Sequence, residues 1–114
     1  PYIKGQNDIF FNISHSKKCC VCVISDKEIG VDIEEIKPFS QRLAEKVCSE
    51  NELIQIENSS DKAREFTKIW TMKESFIKMT GEGFSHGLKE ADTTKTEFFS
   101  EEREGLFISV CESK

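Results

Sequence analysis

Three carboxylates and a lysine stand at spacings that could handle a cation and a phosphate. Asp32 and Glu34 lie two positions apart in the segment IGVDIEE. On a strand, that spacing puts both side chains on one face with Cα atoms roughly 6 to 7 Å apart. Hard oxygen ligands of this kind suit Mg²⁺, which takes one or two protein carboxylates and fills its remaining positions with water and phosphate oxygens. Glu74 and Lys78 are one helical turn apart and beside Trp70, as a carboxylate completing a metal site and a lysine facing phosphate would be. Each pair also has an ordinary reading. Charges alternate outward on any half-buried strand, and a Glu–Lys pair four apart stabilises a surface helix by about 0.2–0.5 kcal/mol. Ser14 and His15 add a hydroxyl and an imidazole that could meet a phosphate, although a lone His in a turn is usually structural.

These residues need elements to hold them. Residues 9–14 and 19–25 are rich in β-branched and aromatic side chains and flank a polar stretch, so they are predicted to form a hairpin. Residues 29–34 alternate, with Ile29, Val31 and Ile33 on one face and Gly30, Asp32 and Glu34 on the other. Pro38 closes that strand. Ser40 is a suitable N-cap for a short helix through Val47. Ser49 with Glu52 forms a capping-box pattern that opens a second helix, with Leu53 and Ile56 on its apolar side.

Residues 61–80 make the strongest helix, begun by Asp61, ended by Gly81 and Gly83, and free of internal Pro or Gly. At about 100° per residue, Phe66, Ile69, Trp70, Phe76 and Ile77 share one sector. Arg64, Lys68, Thr71 and Ser75 take the opposite one, and Glu74 and Lys78 lie on the border. Gly81-Glu82-Gly83 lacks the preceding strand of a dinucleotide or phosphate loop, so it reads as a helix cap. Two further strands, 97–99 and 106–111, are expected to pair across a loop at 100–105. The sum is an α+β domain over residues 1–114, a small antiparallel sheet packed against one long and two short helices.

Composition narrows the class. Of 114 residues, 37% are hydrophobic and 32% charged, which suits a soluble globular protein. The longest apolar run, 19–24, is far short of the roughly 20 residues that a membrane span needs, and no leader sequence opens the chain, so a cytoplasmic protein without a membrane partner is expected. Five cysteines, three of them at 19, 20 and 22, fit neither a disulfide framework nor a zinc knuckle. A net charge of −5 argues against nucleic acid.

In order and spacing, FNISHS (11–16), IGVDIEE (29–35) and WTMKESFIKMTGEG (70–83) together resemble the 4'-phosphopantetheinyl transferase superfamily, in particular the C-terminal half of its surfactin-synthetase-activating type. The resemblance covers nearly three quarters of the chain. It implies the fold of that family and transfer of 4'-phosphopantetheine from coenzyme A to a serine of an acyl or peptidyl carrier protein, with adenosine 3',5'-bisphosphate released. It also implies that Asp32, Glu34 and Glu74 hold Mg²⁺, that Lys78 neutralises phosphate charge, and that Ser14 and His15 bind coenzyme A. Glu74 would take the serine proton, directly or through a water on the metal. An upstream half, or a second copy in a homo-oligomer, would complete the site. A basic surface at Lys62, Arg64 and Lys68 is expected to meet the carrier. Two rivals remain, a non-catalytic module binding metal or coenzyme A weakly, and a phosphohydrolase built on the same carboxylates.

Overall fold

The computed structural model describes residues 2–3, 8–81 and 88–113. Strands β1 (Tyr2–Ile3), β2 (Ile9–His15), β3 (Cys20–Ser25) and β4 (Ile29–Glu35) precede helices α1 (Gln41–Val47), α2 (Glu50–Glu57) and α3 (Lys62–Thr80). Short 3-10 turns at Leu88–Glu90 and Thr93–Lys95 lead into β5 (Phe99–Arg103) and β6 (Leu106–Glu112). The class is α+β, as the sequence implies, but the strands divide into two three-stranded antiparallel sheets, ordered β1-β2-β3 and β4-β6-β5. Among the described residues no helix is long and apolar enough to cross a membrane.

β4 pairs with β6, setting Asp32 opposite Ser109 and Glu34 opposite Phe107. It is therefore an edge strand, and its outward N–H groups need acceptors. Two side chains of β2 provide them: Asn12 Oδ1 accepts from the Val31 N–H at 3.0 Å and Ser14 Oγ from the Ile33 N–H at 3.2 Å. Side chains of one sheet thus seal the edge of the other.

The hairpin of β5 and β6 is tighter than expected. β5 covers Phe99–Arg103 rather than 97–99, and only Glu104 and Gly105 turn the chain, with φ of 51° and 80°. Two successive positive φ values match the twist of the flanking strands. The first of them falls on Glu, a residue that does not announce such a turn, so the sequence reads as a wider loop.

The expected caps form. Ser40 accepts from the Leu43 N–H, Ser49 and Glu52 close both halves of a capping box, and Asp61 accepts from the Arg64 N–H. Gly81 ends α3 in the left-handed region, while Gly83 lies outside the described residues.

The faces of α3 need one correction. Phe66, Ile69 and Trp70 do pack against Ala44, Val47, Cys48 and Ile56 of the helical layer. Thr71 and Ser75, expected on the solvent side, are fully buried. α3 is sandwiched, with α2 on one side and β4 and β6 on the other. The side toward the sheet is built from small residues. Thr71 Oγ1 lies 2.8 Å from Ser109 Oγ, and a Cβ added to Gly30 would fall 2.0 Å from the Ser75 carbonyl oxygen and 2.5 Å from the Met79 nitrogen. Only glycine lets helix and strand backbones approach so closely. A hydrophobicity period misses a face that packs through hydroxyls and an absent side chain.

Candidate functional site

The close approach at Gly30 brings the next residues of β4 under the C-terminal half of α3. Asp32, 7% exposed, accepts at Oδ1 from Lys78 Nζ at 3.1 Å and, over a long 3.4 Å, from Ser14 Oγ. Its other oxygen, Oδ2, is buried with no hydrogen-bond partner among the described residues. Burial pushes the Asp32 carboxyl up from 3.8 to about 6, against the pull of the Lys78 ammonium. An ionised oxygen in that position is costly unless something positive reaches it.

Glu34, farther along the same face, lies 3.5 Å from Lys37 Nζ. Glu74 enters from α3, and its carboxyl is raised above the ordinary range first by burial, then by the negative charge of Asp32, with Glu34 adding to it and Lys78 and Lys37 opposing. The three carboxylates therefore feel one another across the gap, a standing repulsion that a divalent cation would relieve. Among the described residues, no three His, Cys, Asp or Glu side chains already enclose an ion position. Instead Lys78 engages Asp32 and Lys37 engages Glu34. The hard oxygen donors and the unpaired Asp32 Oδ2 fit Mg²⁺.

Of the four residues singled out from strand and helix spacing, Asp32 and Lys78 pair directly, and Glu34 and Glu74 lie close enough to feel their charge. Ser14 and His15 diverge, as neighbours on a strand must. The Ser14 hydroxyl points inward to Asp32 and the β4 backbone. His15 is exposed and lines a shallow pocket of about 230 Å³ with Ser16, Lys17, Glu34 and Lys37.

Sequence reasoning missed Lys37, whose backbone N–H donates to Thr67 Oγ1 at 3.0 Å and whose ammonium sits 5.2 Å from the centre of the Trp70 ring. The available signal was its place three residues after Glu34 and just before Pro38. It also missed Asn12, which had no partner until β2 was seen beside the β4 edge. The proposed basic surface is partly neutralised, because Arg64 pairs with Asp61 and Glu102, and Lys62 lies 3.8 Å from Glu57.

A second acid–lysine pair went unpredicted. Glu52 and Lys73 are 2.7 Å apart, and both side chains are fully buried. Glu52 also accepts from the Ser49 N–H, the Thr93 N–H and the Thr93 hydroxyl, and Lys73 donates to the Leu88 and Ala91 carbonyls. The capping box is a sufficient account of Glu52 in the sequence, and its partners Lys73 and Thr93 lie too far along the chain for spacing to reveal them.

Residues 28–109 match the family model described as the 4'-phosphopantetheinyl transferase superfamily. The chain is 41% identical over 87 residues to a 4'-phosphopantetheinyl transferase of Bacillus subtilis, and 39% identical over 90 residues to psf-1, a 4'-phosphopantetheinyl transferase of Bacillus pumilus. Those matches take in 75% and 77% of this chain and 39% of each relative, so the chain spans about two fifths of their length. Among solved structures, the holo-[acyl-carrier-protein] synthase of Thermotoga maritima superposes with a TM-score of 0.57 at 16% identity, over 76% of this chain and 64% of that one. At that identity the likeness speaks for the fold alone.

Proposed function

The chain belongs to the 4'-phosphopantetheinyl transferase superfamily, and on that premise we propose that it carries phosphopantetheine from coenzyme A to a serine of an acyl or peptidyl carrier protein. Mg²⁺ is the proposed cofactor and adenosine 3',5'-bisphosphate the proposed second product. The observation that supports the reading is the Asp32–Lys78 pair between β4 and α3, with Glu34 and Glu74 within electrostatic reach and Asp32 Oδ2 buried without a partner among the described residues.

Asp32, Glu34 and Glu74 would hold Mg²⁺, which when bound supplies Lewis-acid and templating chemistry to the pyrophosphate of coenzyme A. The protein's own groups do the remainder. Glu74 takes the proton of the carrier serine. The serine oxygen forms a bond to the phosphorus nearer the pantetheine while the bridging P–O bond breaks. The electron pair of that bond leaves with adenosine 3',5'-bisphosphate. Lys78 offsets the charge on the phosphates, and since phosphoryl transfer rests mostly on positioning and charge stabilisation, these parts suffice. Ser14 and His15 are assigned to coenzyme A, His15 by contact from the strand end and Ser14 through its hold on Asp32. A cytoplasmic setting goes with this reading.

The test is the intact mass of an apo carrier protein after incubation with the chain, coenzyme A and Mg²⁺. A gain of one phosphopantetheine mass is expected, and its loss with Glu74→Ala. The 39% span of the relatives favours a second reading, a domain that binds the ion and coenzyme A but turns over only when a further segment or a second copy completes the site. No gain from folded chain across several carriers, with binding retained, would select that reading.

A further inference from the structure

The carboxylates are bracketed by two ammonium groups, and the reaction as proposed uses only one of them. Lys78 reaches from α3 to Asp32. Lys37 reaches back from the residues after β4 to Glu34, at 3.5 Å, with its stem half-exposed. Two contacts fix Lys37 along α3, about one helical turn apart. Its N–H donates to Thr67 Oγ1, and its ammonium lies 5.2 Å from the centre of the Trp70 ring. Pro38 follows directly and restricts the backbone of Lys37 to extended conformations. A long side chain that would otherwise sweep the solvent is thereby confined to one end of the carboxylate group.

An ammonium and a divalent cation compete for the same carboxylate oxygens. We propose that Lys37 is a positioning residue, a placeholder that keeps the Glu34 carboxylate aligned while no cation is bound and gives it up when one binds. This inference rests on the metal-site reading above. The Trp70 ring is what makes the exchange workable. An ammonium displaced from Glu34 keeps a favourable partner in the face of the indole, so it stays at the rim of the His15–Ser16–Lys17 pocket. Losing a half-exposed pair costs little, so the placeholder yields to a divalent ion without abolishing its binding.

Trp70 is the only tryptophan in the chain, so its emission reports the position of the Lys37 ammonium. The experiment is a titration of the whole 114-residue chain with MgCl₂ alone, followed both by Trp70 fluorescence and by calorimetry, for the unmodified protein, Lys37→Met and Lys37→Arg. In the unmodified protein the emission should change in step with the heat of binding. Lys37→Met should bind Mg²⁺ about two- to fivefold more tightly, with no emission change and an unaltered circular dichroism spectrum. Lys37→Arg, which keeps the charge and stacks on indole, should restore the change. Equal or weaker Mg²⁺ binding by Lys37→Met, or an emission change that survives in it, overturns the placeholder while leaving the metal site intact. Absence of Mg²⁺ binding to any of the three proteins overturns the metal site and the placeholder together.

Discussion

Among the described residues, two of the acid–lysine pairs that bridge to α3 are built to opposite specifications. Glu52 and Lys73 are sealed from solvent, and both oxygens of the acid and the ammonium have named partners. Asp32 and Lys78 are partly open, with side-chain exposures of 10% and 32%, and one Asp32 oxygen is buried without a partner among the described residues. The first pair is complete and can only hold. The second leaves Asp32 Oδ2 without a partner among the described residues. A buried ion pair is therefore no sign of function by itself; an unfilled one, beside Glu34 and Glu74, is the more informative.

That contrast can be broken by experiment. Glu52→Ala strands the Lys73 ammonium and the Thr93 N–H in the interior, so urea unfolding should show a loss of about 3–5 kcal/mol. A loss below about 1 kcal/mol would erase the distinction. Asp32→Asn should behave in the reverse way, lowering Mg²⁺ affinity in calorimetry by about tenfold or more, as loss of a charged ligand would. Its folding stability should stay level or rise by about 1 kcal/mol, because a buried ionised oxygen has been removed. Lys78→Met should cost about 1–2 kcal/mol, since it leaves the buried Asp32 carboxyl without its cation, and should reduce carrier loading measured by intact mass.

Two cysteines provide a finer comparison. Cys48 sits by the sealed pair and Cys111 touches Met79 next to Lys78. Burial pushes both thiols up to about 11, so at pH 8 alkylation should reach Cys19, Cys20 and Cys22, which are exposed, and spare these two. In Glu52→Ala, Cys48 should become reactive before Cys111 if the helical layer opens first. Equal rates would mean that the two regions fail as one unit.

Strand and helix periods made part of the candidate site's arrangement legible in the sequence, while the roles of its residues came only with the family resemblance. Two carboxylates spaced by two share a strand face, and Glu74 and Lys78 spaced by four share a helix edge. What periods cannot carry is the layer on the far side. Thr71 and Ser75 look like solvent residues until Gly30 and Ser109 are placed beneath them. Glu52 looks finished by its capping role, since the partners of its second oxygen come from residues 41 positions later. Lys37 belongs to the same group, because its meaning depends on a tryptophan 33 positions on that folds back over it.

The contact at Gly30 also bears on how such a site can drift over generations. Apolar interfaces can be adjusted one methylene at a time, so the distance across them can change in small steps. A gap defined by a missing side chain has a single setting, because the smallest addition already collides with backbone atoms at Ser75 and Met79. Mutation can therefore exchange the groups that face one another across this gap, but it has no gradual route to altering the width itself. The site is free to change chemistry and bound in its dimensions.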